Sequence, residues 1–254
     1  MRLSFSHLLL ITCIVATVSC KTNFIPRSSH SQNIPVAEEV QGVDSQIIYM
    51  YKPFKDSLEK DMKRVISISE KEMIKGRPES LLTNFLADLL LAEAKTEATK
   101  IADGVHPVIS YFNYGGIRTS LPKGEITVGE IFELMPFENE LVFIQLTGTQ
   151  VQEFLNHLAD KNGESVGGVR YVISNGKAVD IQIAGNEIVS NKTYWLATND
   201  YVAEGGDGLE VFTHRLKIVK PGLKIRDVIL HNLEKSYKEG KTLTAKEDGR
   251  VKYE

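Results

Sequence analysis

The chain has little cysteine: two residues, Cys13 and Cys20, among 254. Both fall in the first twenty positions, so no disulfide can staple the rest, and the fold has to be held by its core. Clustered lysine and arginine are missing as well. The formal net charge is −3, with 30 basic against 33 acidic side chains and no long basic run. A nucleic-acid groove needs a basic stripe, so nucleic acid is excluded as a partner. The apolar stretch from Leu8 to Val18 is too short to span a bilayer comfortably as a helix. The six histidines (His7, His30, His106, His157, His214 and His231) are scattered, and none sits at a spacing that would hold a catalytic metal pair.

What is present suits a globular protein. An apolar fraction of 42% supplies a core, and the length fits one large domain with tails. Arg2, the apolar stretch and Ser19-Cys20 read as a signal peptide over residues 1–19 of lipoprotein type, with Cys20 as the lipidated N-terminus. Thr17 departs from that pattern, since an aliphatic residue is expected there. Residues 20–43, rich in Ser, Asn, Pro and Gln, read as a flexible tether. Residues 44–237 form the expected domain, and 238–254 read as a polar, frayed tail.

Within the domain, Gln46–Tyr51 reads as an extended start. Ser80 is a candidate N-cap for a helix to about Thr99, with Leu82, Phe85, Leu86, Leu89 and Leu90 at helical spacing. Asp103-Gly104 makes a turn into a buried strand over Pro107–Asn113. Thr127 and Glu130 form a capping box for a short helix. Strands follow at Leu141–Leu146, Val169–Ile173, Val179–Ile183 and Tyr194–Thr198. Helices follow at Gln150–Ala159 and Ile225–Tyr237. Several strands are separated only by turns, which favours an α+β fold, a mixed β-sheet with flanking helices, over a doubly wound parallel sheet.

Two segments stand out: Asn113-Tyr-Gly-Gly-Ile-Arg118 and Thr198-Asn-Asp-Tyr-Val-Ala-Glu-Gly-Gly-Asp-Gly208. Each joins an aromatic or amide group to paired glycines and a charge. Glycine lets backbone approach a ligand, an aromatic ring stacks on a flat heterocycle, and Asn, Arg and Asp read its polar edges. Each residue alone has a plainer reading. Phe137 after Pro136 suits a core, Gly205–Gly208 suits a tight turn, and Arg118 suits the surface; only their joint occurrence favours a ligand site.

These segments, with Pro136-Phe137, Leu146-Thr-Gly148 and Glu79-Ser-Leu-Leu-Thr-Asn-Phe-Leu-Ala-Asp88, resemble the C-terminal domain of 5′-nucleotidases over about residues 60–215. The family motifs run close to Asn-Gly-Gly-Gly-Ile-Arg and Asn-Asp-Phe-Leu-Ala-Gly-Gly-Gly-Asp-Gly. The resemblance implies that Phe137 and Tyr201 sandwich a base and that Asn113, Gly115 and Gly116 face it. It implies further that Asp207 accepts ribose hydroxyls and that Arg118 lies near the ribose or phosphate. Arg77 stands near the place of a further family arginine, at a shorter spacing to Glu79. Complete family members hydrolyse phosphate through a separate two-metal domain whose Asp-x-His and Gly-Asn-His motifs do not occur in this sequence. The implied role is the nucleotide- or nucleoside-recognition half of a phosphohydrolase, inactive alone. It would have no cofactor of its own, a metallophosphatase chain carrying divalent metals as partner, and a lipid anchor in the bacterial cell envelope. Two alternatives stay open: a surface nucleoside-binding lipoprotein without catalysis, and a scaffold that has lost its ligand.

Overall fold

The structure, a computed structural model, describes residues 31–33, 44–101 and 104–254. The expected signal peptide, Cys20, most of the tether and Asp103 lie outside the described residues. The chain divides into two compact units, Met1–Tyr49 and Met50–Glu254. Helix α1 (Ser45–Met62) stands where an extended start was expected over Gln46–Tyr51. A short apolar run such as Ile47-Ile48-Tyr49-Met50-Tyr51 cannot by itself separate strand from helix. Here the Asp44 carboxylate accepts the Gln46 amide at 2.9 Å, and Lys52–Asp56 and Lys55–Glu59 pair one turn apart.

In the second unit the strands are β1 (Val65–Ser69), β2 (Pro107–Tyr111), β3 (Gly124–Thr127), β4 (Leu141–Thr147), β5 (Val166–Gly167), β6 (Val169–Ser174), β7 (Lys177–Ile183), β8 (Asn186–Glu187), β9 (Thr193–Asn199), β10 (Lys217–Val219) and β11 (Val251–Tyr253). The helices are α2 (Leu81–Ala98), α3 (Val128–Leu134), α4 (Gly148–Asp160), the short α5 (Asp200–Ala203) and α6 (Ile225–Lys238). The central sheet runs β10-β4-β9-β2-β5, the second β11-β6-β7-β8, and β1 pairs with β3. In the central sheet β2 and β9 are parallel while β4 is antiparallel to β9. The fold is α+β, with mixed sheets and flanking helices.

Alternation along β4 and β9 builds the core on both faces of the central sheet. Leu141, Phe143, Trp195 and Ala197 join one cluster, with α2, α3 and α6. Val142, Ile144, Leu146, Tyr194 and Leu196 join the other, with Val151, Phe154, Leu155 and Leu158 of α4 and the β6–β7 hairpin. The helix starts follow local chemistry. Ser80 with Thr83, Thr127 with Glu130, and Thr147 with Gln150 each form a capping box.

The segment after Lys238 corrects the expectation of a frayed tail. Leu243 is buried, and β11 adds parallel to β6. Arg250, 6% exposed, grips Asp88 of α2 through two hydrogen bonds of 2.7 and 2.8 Å and also bonds Asp248. The polar composition of the segment hid one buried cation and two apolar anchors, which are enough to dock it.

Candidate functional site

Strand direction decides where the two motif segments meet. Because β2 and β9 are parallel neighbours, with Ser110 opposite Ala197, both chains leave the sheet at the same end. After β2 comes Asn113 and a 3-10 turn over Tyr114–Gly116. After β9 come α5 and the Gly205–Gly208 turn. Strand β4 runs the other way, with Leu141 opposite Asn199, so the loop that precedes it, Pro136–Glu140, enters at that end too. Ligands commonly bind beyond the carboxyl ends of parallel strands.

These loops enclose a cavity of about 360 Å³. Its wall is formed by Asn113, Gly115, Gly116, Arg118, Phe137, Tyr201 and Asp207, with Asn139 as an eighth member. The structure thus brings all seven sequence-derived candidates together. Phe137 and Tyr201 leave 46% and 50% of their surface exposed, which is unusual for large rings that serve a core. The Tyr201 ring lies so close to Gly206 that a Cβ there would sit 2.5 Å from it.

A polar chain fixes the site's orientation. The Val202 amide donates to Asn199 Oδ1, Asn199 Nδ2 donates to Asn113 Oδ1 at 2.9 Å, and Asn113 Nδ2 donates to Asp207 Oδ2 at 2.7 Å. Each amide is pinned by the next, so the 4% exposed Asn113 has a single orientation. A Cβ on Gly116 would strike Asn113 Oδ1 at 2.7 Å, so glycine is required there. Lys161, the residue that caps the end of α4, donates to the Asp207 carbonyl at 2.7 Å, and the ring nitrogen of His157 in α4 lies 3.1 Å from the same oxygen.

Positive charge collects beside the glycine turn. Lys75 Nζ donates to the Ile117 carbonyl at 2.6 Å and lies 4.5 Å from the Tyr114 ring centre. Arg77 stacks on the same ring at 4.1 Å and pairs with Glu164. Burial, and then the charges of Arg118 and Arg77, hold the Lys75 ammonium below the usual lysine range. Buried Glu164 accepts from the Tyr111 hydroxyl at 2.7 Å and the Tyr114 amide at 3.2 Å. Burial, and then that carboxylate, push the Tyr111 phenol well above its usual range. Sequence reasoning missed Asn139, Lys75 and Glu164. Asn139 lies two residues past Phe137, a signal that could have been followed; the pairing of Lys75 and Glu164 with the turn exists only once the chain has folded. Among the described residues no three His, Cys, Asp or Glu side chains gather as metal ligands.

The model of the 5′-nucleotidase C-terminal domain matches residues 64–214. The chain belongs to the 5′-nucleotidase family. It is 32% identical over 262 aligned residues to the trifunctional nucleotide phosphoesterase protein YfkN of Bacillus subtilis, covering 94% of this chain and 16% of that protein. It is 31% identical over 127 residues to protein UshA of Escherichia coli, covering 48% of this chain and 23% of UshA. Among solved structures, the 5′-nucleotidase precursor of Thermus thermophilus matches with a TM-score of 0.68 at 25% identity, covering 81% of this chain and 42% of that one. The chain spans less than half the length of each of these relatives.

In this 5′-nucleotidase C-terminal domain the Phe137 loop is braced from α6. Buried Arg226 stacks on Phe132 at 4.1 Å and donates to the carbonyls of Met135 at 3.2 Å and Pro136 at 3.3 Å. Glu138 pairs with both Arg226 and Lys224, and the Ile225 amide donates to Asn139 O at 2.9 Å. The hydrogen bond from Lys224, and then that from Arg226, hold the Glu138 carboxyl below its ordinary 4.5. A carboxylate whose pKa is depressed by folding contributes its bracing above the ordinary value and loses it as pH falls through the folded one. Glu138→Gln should therefore speed hydrogen exchange of the Phe137–Glu140 amides several-fold over the native protein at neutral pH. The gap should close as the pH falls below the ordinary 4.5 and through the lowered folded value. Equal exchange of the two proteins at neutral pH would show that Glu138 does not brace the loop.

Proposed function

We propose that this domain recognises the nucleoside part of a nucleotide and presents its phosphate to a metallophosphatase carried on a separate chain. The observation that carries the reading is the convergence of two half-exposed rings, a carboxylate and amide groups on one cavity. A base entering between Phe137 and Tyr201 gains stacking worth about 1–3 kcal/mol per ring and tolerates different bases. Asn139 and Asn113, which line the cavity, meet its polar edge in this reading. Asp207 accepts the ribose hydroxyls in charge-assisted bonds. The end lined by Arg118, with Lys75 and Arg77 behind it, suits the phosphate. Together these terms correspond to micromolar affinity, about −8 kcal/mol.

In this reading the chain's part is to bind and orient the nucleotide, and the partner chain activates water. Positioning alone lowers a barrier when it holds the reacting group next to its catalyst. The relatives, a 5′-nucleotidase and a nucleotide phosphoesterase, support phosphate-ester chemistry in the assembled enzyme. The lipoprotein-type segment ending at Cys20 supports a place in the cell envelope, tethered by lipid. The test is AMP hydrolysis by a metallophosphatase chain of the same organism, with and without this protein. The reading predicts at least about tenfold higher kcat/KM with it. Equal rates would contradict the two-chain enzyme and favour a nucleoside-binding lipoprotein without catalysis.

A further inference from the structure

The Tyr201 side chain carries more than a ring. Its hydroxyl donates to Asp207 Oδ1 at 3.1 Å and accepts the Asp207 amide at 3.3 Å. Asp207 has φ 55°, in the left-handed region, which a non-glycine residue keeps only when its surroundings hold it there. The contacts that hold it are Tyr201 on the amide and Oδ1, Asn113 on Oδ2, and Lys161 and His157 at the carbonyl. Each carboxylate oxygen has one hydrogen bond from the protein and room for a second, since an ionised carboxylate offers about four acceptor positions. Asp207 is itself exposed to water. A swinging carboxylate there would trade one set of hydroxyl partners for another with little net gain. A fixed one presents two acceptor directions side by side, without the ordering cost that otherwise weakens binding.

We infer that the Tyr201 hydroxyl is a specificity-determining group: it locks the Asp207 carboxylate as a paired acceptor for a vicinal diol, so that the site selects ribose over sugars lacking the 2′ and 3′ hydroxyls. This rests on the nucleoside-binding reading of the cavity, in which Asp207 meets the ribose, and adds to it the group that fixes the carboxylate. Phenylalanine at position 201 would keep the ring and remove only the lock.

The test titrates the full-length protein and its Tyr201→Phe variant, each confirmed folded, with adenosine and with 2′,3′-dideoxyadenosine. The native protein is expected to prefer adenosine by about 30-fold, and the variant by about threefold, a loss of about one decade in the ratio. Hydrogen exchange at the Asp207 amide, which loses its acceptor in the variant, should rise in parallel without ligand. An unchanged adenosine-to-dideoxyadenosine ratio in Tyr201→Phe overturns this inference and leaves nucleoside binding standing. Failure of the folded native protein to bind either compound overturns the nucleoside reading and the inference with it.

Discussion

Asp207→Ala should weaken adenosine binding by about 100-fold or more. Each hydrogen bond to a charged group is worth about 1.5–3 kcal/mol, so losing two to the sugar costs at least about 3 kcal/mol, and every 1.4 kcal/mol is tenfold. The substitution also strips Asn113 Nδ2 and the Tyr201 hydroxyl of their shared partner. Alanine also leaves the buried Asn113 amide unpartnered and sits poorly in the left-handed backbone, so a modest fall in thermal stability should accompany the loss, and affinity is read on protein confirmed folded. Asp207→Asn is the sharper companion, because asparagine tolerates the left-handed backbone at this position and keeps the shape. It removes the charge and turns one of the two acceptor oxygens into a donor, and the expected loss is about tenfold. Titration of both folded variants checks this, and native affinity in the pair would remove Asp207 from the ligand's contacts.

The second large effect concerns stability. Deleting residues 240–254 should cost roughly 4 kcal/mol or more, a large part of a typical total of about 5–15 kcal/mol. Leu243 and Val251 lose burial worth about 1.5–3 kcal/mol each. Losing Arg250 leaves Asp88 without its two bonds and opens the edge of β6. The entropy regained by the released residues offsets part of this. A urea melt of the truncated protein should show a much earlier midpoint or no cooperative transition. A midpoint equal to that of the full chain would mean that the segment is an ornament on the fold.

The same segment shows where sequence reasoning ran out. The helices were legible where a cap stood before a helical apolar pattern, as at Ser80 and Thr127, because both signals are local. The pairing of β11 with β6 joins three residues to a strand about eighty positions earlier, and nothing near Val251 announces it. Helix α1 was missed for a different reason: the apolar run Ile47–Tyr51 masked the helical spacing that Tyr51, Phe54, Leu58 and Met62 continue, and no residue of the helix is buried. Most of the cavity wall was legible because glycines, a ring and charges cluster in two short segments that the parallel β2–β9 pair carries to one edge, while Phe137 comes from the loop before β4. The supporting shell was not. Glu164, Lys75 and Arg226 meet the site loops only through tertiary packing, and a lone charged residue in sequence looks like surface.

The hydroxyl of Tyr201 and the bracing of Glu138 act on one side of the cavity each, the Asp207 carboxylate and the Phe137 loop. Neither matters unless a nucleoside enters between the rings. Calorimetric titration of the native protein with adenosine, beside Phe137→Ala checked for folding, tests that claim most directly. Micromolar binding, weakened about tenfold or more in the variant, is the predicted result. A folded native protein that releases no heat and binds no adenosine at millimolar concentration would contradict it.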